Sequence, residues 1–309
     1  MRTTRRTRRL GALATGLAVA MIVAGCGGGT TGGAGAGGGA SSAAAEHAGH
    51  EHGSGAIPAA APLRAGERFV TVQMPQPYEP VAPHGGTDEY RCFLVDPKVT
   101  ANAYLTGSQF LPQNTAIVHH AIFFRVEPGQ AAKARAVDAA DPGEGWTCFG
   151  DAGIGGDAGW VAHWAPGANE TLLTPGVGYP MPPGSLLVMQ VHYNLLATGG
   201  KPAGTDQSSI RLRLADGAKK LAPLDTAQLV APIELPCAAG ESGPLCDRNA
   251  AVADVTRRFG GDVGSIEDGL VKGCDHGTPK PGTTQQCDHP VPVAGTIYAV
   301  AGHMHLLGR

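Results

Sequence analysis

From Leu63 onward, apolar and polar side chains alternate with a period of two. Val70, Val72 and Met74 are spaced in this way, and Ile210, Leu212 and Leu214 are set against Ser209, Arg211 and Arg213. Successive side chains of a strand point to opposite faces, so these segments predict half-buried antiparallel strands. The run Leu186-Leu187-Val188-Met189-Gln190-Val191-His192-Tyr193 is apolar at both parities. It predicts a central strand buried on both faces, with Gln190 and His192 on the same one. Clusters such as Tyr179-Pro180-Met181-Pro182-Pro183-Gly184 separate the runs, and only Gln130 to Ala140 reads as a helix. Short strands between turn signals predict an all-β protein built from antiparallel β-sandwich layers. A boundary near residues 225–240 divides a first domain, 63–230, from a second, 231–309, which is small for a core of its own.

Composition agrees with strands and loops and adds a compartment. The 309 residues include 47 Gly and 24 Pro, and only 16% are charged. Arg2, Arg5, Arg6, Arg8 and Arg9 precede an apolar run from Leu10 to Ala24, which is the pattern of an export signal over residues 1–25. Val23-Ala24-Gly25-Cys26 resembles a bacterial lipobox, in which Cys26 is lipidated and anchors the exported protein to the cell membrane. The arginine pairs also admit twin-arginine export. Removing residues 1–25 deletes five positive charges and no negative one, which moves the formal charge from −3 to −8. Nucleic acid is therefore excluded as a partner on charge. Residues 26–62 are almost all Gly, Ala and Ser and predict a flexible tether. Its cluster of His47, His50 and His52 is either a solvated linker or a weak metal scavenger.

Beyond Cys26 there are six cysteines, Cys92, Cys148, Cys237, Cys246, Cys274 and Cys287. An even count in an exported chain predicts disulfides, with about 15 connectivities open to six cysteines. The last four lie in one polar segment resembling an insertion and are expected to pair among themselves. Cys274-Asp275-His276 and Cys287-Asp288-His289 would also suit a Cys2His2 zinc site, but an oxidising compartment favours the disulfide.

Twelve histidines in 309 residues give about 0.5 adjacent pair by chance, so His119-His120 alone says little. What changes the picture is that His119, His120, His192, His303 and His305 all lie in or beside apolar strand segments, where an imidazole must be paired or metallated. His303 and His305 share one strand face and can reach a single ion. His119 and His120 point to opposite faces of a regular strand, so joint ligation requires a twist or bulge. His192 taken alone suits a core histidine bonded to a carbonyl as well as a ligand, and His163 suits packing better than ligation.

Three segments together resemble the copper type II ascorbate-dependent monooxygenases, the family of peptidylglycine and dopamine hydroxylating enzymes. Val118-His119-His120-Ala121-Ile122-Phe123-Phe124 is similar to the family's paired-histidine strand. The stretch from Trp164 through Gly176-Val177-Gly178-Tyr179 to Val188-Met189-Gln190-Val191-His192-Tyr193 is similar to the segment that supplies the third histidine. His303-Met304-His305-Leu306-Leu307-Gly308 is similar to the family's His-x-His-x-x-Gly motif, and Asp88-Glu89-Tyr90-Arg91-Cys92 to its early cysteine strand. Order and approximate spacing agree over residues 66–309.

The resemblance implies tandem antiparallel β-sandwiches of jelly-roll type, the second incomplete and carrying the Cys-rich insertion. It implies two copper ions: an electron-donating one on His119, His120 and His192, and an oxygen-activating one on His303 and His305. The family's second copper takes a methionine from a strand downstream of His-x-His, and no residue follows Arg309, so that site is expected to be incomplete. Met304 points away from the face shared by His303 and His305. The implied activity is hydroxylation of a C–H bond in a small organic or peptide substrate, with O2 and an external reductant of the ascorbate type. The alternative is a non-catalytic, exported copper-binding lipoprotein that sequesters or delivers copper. A zinc hydrolase is a weaker third reading, since no carboxylate lies near these histidines in sequence to act as its base.

Overall fold

The computed structural model describes residues 58–156, 158–259, 262–291 and 294–302. The expected signal, Cys26, the His47–His52 cluster, His303 and His305 lie outside the described residues. Within them, the chain is mostly β, with two antiparallel-rich sheets and few helices.

In chain order the elements are β1 (Glu67–Gln73), β2 (Asp88–Val95), β3 (Ala103–Leu111), β4 (Val118–Val126), α1 (Ala131–Ala140), β5 (Trp146–Thr147), β6 (Gly159–Trp164), β7 (Thr171–Leu172), β8 (Val177–Met181), β9 (Leu186–Asn194), β10 (Ser209–Asp216), β11 (Ala222–Pro223), α2 (Arg248–Phe259) and α3 (Asp262–Cys274). One sheet runs β1-β10-β3-β8-β11, with β7 also on β3, and the other runs β5-β2-β9-β4-β6. All pairings are antiparallel except that of β11 with β8.

The alternating pattern decides how the sheets bury themselves. Val72 and Met74, just past the end of β1, join Ile210, Leu212 and Leu214 of β10 and Leu105 and Phe110 of β3 in one cluster. In that cluster they meet Phe93 of β2, Phe123 of β4 and Met189, Val191 and Tyr193 of β9. Each such side chain contributes about 1.5–3 kcal/mol on burial, which makes this shared cluster the dominant favourable term. β9 is the middle strand of its sheet, as its two-sided apolar run predicts. Leu187, Met189, Val191 and Tyr193 face the shared cluster, while Leu186 and Val188 face a second one. That second cluster, with Cys92, Ile122, Phe124 and Trp146, is roofed by Ala134 of α1, close to where the helical pattern lies.

Two expectations need correction. Alternation in β10 places Arg213 on the polar face of a half-buried strand, yet it is 1% exposed. Its guanidinium is bound by Glu67 at 3.0 Å and Glu170 at 2.7 Å and by the carbonyls of Ala61 and Pro62, so at this point the outer face of the six-stranded sheet is covered by the chain rather than by water. The end of the segment expected to be a flexible tether is thus docked, with Gln109 donating to the Pro58 carbonyl as well.

Residues 231–309 carry two helices that the sequence pattern did not predict, and no strand follows Pro223 among the described residues. The start signal of α2 was present: the Asp247 carboxylate accepts from the Ala250 N–H at 2.9 Å, as an N-cap does. Val252, Val255 and Phe259 then follow at spacings of three and four. The low hydropathy of the segment around them masked the period.

The cysteines form Cys92–Cys148, Cys237–Cys246 and Cys274–Cys287. The last four pair among themselves, as expected, and the Cys274–Cys287 bond removes the sulfurs that a Cys2His2 zinc site would need.

Candidate metal centre

Strand pairing brings His119, His120 and His192 together on the outer face of the five-stranded sheet. The register of β4 against β9 runs Val126↔Leu186 to His120↔His192, and then jumps to Val118↔Tyr193. His119 is the extra residue, so β4 has a bulge at the position where joint ligation by adjacent histidines demands one. The bulge turns His119 toward the side that His120 already faces.

The three Nδ1 atoms form a nearly equilateral triangle, 3.2 Å on each edge. Three nitrogens at about 2.0 Å from one ion in tetrahedral directions would stand about 3.3 Å apart, so the triangle has the size of a metal's coordination face. The rings are tilted against one another by 62°, 71° and 70°, like the blades of a propeller. Among the described residues this is the group of histidine, cysteine or acidic side chains able to converge on one ion. His192 is buried, whereas His119 and His120 are half-buried.

His192 is held at its other nitrogen and on its face. Nε2 lies 2.9 Å from Asp88 Oδ1, and the same oxygen accepts from Asn194 Nδ2 at 3.0 Å, while Oδ2 accepts from the Thr87 hydroxyl at 2.8 Å. Burial acts to raise the Asp88 carboxyl, but the bonds from His192, Thr87 and Asn194 outweigh it and hold it below the usual carboxylate range. Tyr90, directly opposite His192 in the β2–β9 register, stacks on its ring at 4.2 Å with an 8° interplanar angle. Burial, reinforced by the Asp88 charge, pushes the Tyr90 phenol well above its ordinary value and keeps it neutral.

Tyr90 is pinned in turn by Phe149 at 4.8 Å and by Phe259, the last residue of α2, at 5.3 Å. The disulfide Cys92–Cys148 fixes the loop that carries Phe149 to β2. Gly145 lets that loop lie against the Cys92 carbonyl: its φ is +67°, and a Cβ there would collide with that oxygen. Arg91 closes the loop by donating to the Glu144 and Gly145 carbonyls at 2.9 and 2.8 Å.

Of the residues singled out in the sequence, the structure therefore unites His119, His120 and His192. His163 sits exposed on β6 opposite Ile122, with its ring 6.2 Å from that of Trp160, and is not one of the three. Met74, Met181 and Met189 are fully buried in the shared cluster. Sequence reasoning missed Asp88, Tyr90 and Phe259 as neighbours of the histidines. The signal for the first two was parity: Asp88, Tyr90 and Cys92 occupy one face of β2, the face that meets His192 and Gln190 of β9.

Chemically, three imidazoles converging in this way form a donor set that suits zinc, copper, iron or nickel. The Asp88 carboxylate lies on the far nitrogen of His192, so it holds that ring and does not face the centre of the triangle. Among the described residues no helix is long and apolar enough to cross a membrane. Compared with protein-family models and with curated proteins, the chain matches none of them.

Proposed function

We propose that this chain is a copper protein of the ascorbate-dependent monooxygenase type, exported and lipid-anchored through Cys26, with a jelly-roll β-sandwich domain over residues 63–230. The single observation that carries the reading is the Nδ1 triangle of His119, His120 and His192. When bound there, copper would supply one-electron storage and release, since imidazole ligation serves both of its oxidation states and the divalent-metal affinity order favours it over its neighbours.

The protein's own part is to hold three lone pairs at fixed spacing. The bulge sets His119 beside His120, and Asp88 and Tyr90 immobilise His192. His303 and His305 would hold a second ion. The net reaction inserts one oxygen atom of O2 into a substrate C–H bond and releases the other as water, using two electrons from an external reductant and two protons. The substrate is a small organic molecule or peptide.

Copper stoichiometry measured together with turnover tests this. Two bound coppers and ascorbate-dependent O2 uptake coupled to a hydroxylated product are expected. One copper with no uptake would replace the enzyme by a copper-sequestering or copper-delivering lipoprotein, and no copper retained at all would remove both.

A further inference from the structure

Asp88 has no role in the triangle itself, yet its surroundings are those of a built device. A carboxylate can only accept, so the His192 nitrogen that faces it must carry the ring proton. A neutral imidazole has one N–H and one lone pair, and with the proton on Nε2 the lone pair lies on Nδ1, inside the triangle. Asp88 is itself fixed from two further directions, by Asn194 on Oδ1 and by Thr87 on Oδ2, so it cannot turn away from His192. Tyr90 stacks on the ring and opposes a flip that would put ring carbons where the two nitrogens stand.

We propose that Asp88 is the positioning residue of this centre: it selects the His192 tautomer that presents Nδ1 to the metal, and its negative charge makes that nitrogen a stronger donor, favouring Cu(II) over Cu(I). This rests on the metal-binding reading of the triangle. A carboxylate hydrogen-bonded to the far nitrogen of a ligating histidine lends it anionic character, and the more highly charged ion gains more from that. The consequence is a lowered reduction potential, which suits a centre that gives up an electron.

The test separates tautomer from charge. Asp88→Asn is isosteric: its Oδ1 still accepts from His192 and Asn194, and its amide donates to the Thr87 oxygen, so geometry is kept while charge is lost. Asp88→Ala removes both. In the full chain, Cu(II) and Cu(I) affinities are read by chelator competition, the reduction potential by titration, and folding by the thermal midpoint of the metal-free protein. Asp88→Ala is expected to lose about 10–100-fold in Cu(II) affinity. At unchanged Cu(I) affinity that raises the one-electron potential by about 60–120 mV. Asp88→Asn is expected to show a smaller rise with an unchanged metal-free midpoint.

Wild-type Cu(II) affinity and potential in both variants would overturn the inference. So would a potential that moves in Asp88→Ala alone and only together with its folding midpoint. The control is His192→Ala. If it abolishes copper binding while both Asp88 variants behave as wild type, the inference fails alone, and if His192→Ala binds copper as wild type does, the metal-binding reading fails with it.

Discussion

The outer faces of the two sheets each carry a group of partly or fully buried polar side chains, and the two groups are opposites. On the six-stranded sheet, Arg213 sits between Glu67 and Glu170 and also donates to two carbonyls, with side-chain exposure of 1%, 3% and 6% for the three charges. Charges of opposite sign meet and close on one another. On the five-stranded sheet, three ring nitrogens of one kind converge at 3.2 Å from one another. A cluster whose donors meet acceptors is complete as it stands, whereas three like ring nitrogens can all be satisfied together by an ion at their centre. That difference in complementarity, more than burial or residue type, separates a structural polar cluster from a site.

The largest effect should come from breaking the closed cluster. Arg213→Met keeps the apolar stem and strands two buried carboxylates, and it is expected to cost about 3–5 kcal/mol, read from the urea midpoint. Copper affinity of the fraction that folds should stay at the wild-type value. A loss in both would mean that the two faces are not independent.

Acid should also separate the faces. Glu67 is held below the usual carboxylate range: burial acts to raise it, but the bonds from the Arg64 N–H, the Thr106 hydroxyl and Arg213 outweigh that. A depressed folded-state pKa contributes stability that is full above the unfolded value, about 4.3 for Glu, and is lost as pH falls through the folded one. The closed cluster should therefore hold down to about pH 4. Protons compete with a metal for imidazole lone pairs, so copper bound as proposed should be lost on acidification in a step of its own. Titration followed by copper release and by unfolding is expected to give two separate transitions, copper release removing about 2.7 kcal/mol if the metal stood at a hundred times its Kd. A single merged transition would contradict the contrast.

The smallest effect belongs to Phe259→Ala. Its ring meets Tyr90 and Phe149, at 5.3 and 4.9 Å, rather than the histidines, so about 1 kcal/mol of stability should go while copper affinity stays within about twofold. A larger loss of affinity would show that α2 takes part in setting the histidine triangle.

What could be read in the chain follows from what is local. The two-sided apolar run from Leu186 identified a central strand because burial on both faces leaves its mark in contiguous residues, and the alternation at Ile210 to Leu214 marked an inner face. The histidine triangle was legible as an adjacent pair and a distant third residue, together with a condition, a bulge, that only the pairing of β4 with β9 could satisfy. Asp88 was quoted for its strand and not for its chemistry, because its meeting with His192 depends on register across about a hundred residues. Arg213 misled for a related reason: polar in an alternating strand reads as solvent-facing, and nothing near it announces that Glu170 and residues 58–62 will cover it. The two unforeseen helices show the converse, since α2 had a cap and a stripe but lay in a segment too polar on average to reveal its period.

The docking of residues 58–62 has a mechanical consequence. Ala61 and Pro62 are clasped by Arg213 and Glu170, and Pro58 by Gln109, all on the outer face of the six-stranded sheet. A pull on the chain from its N-terminal side would be taken up there as shear on charge-reinforced bonds. The histidines lie on the opposite outer face, across the whole thickness of the shared core, so the load path never crosses them.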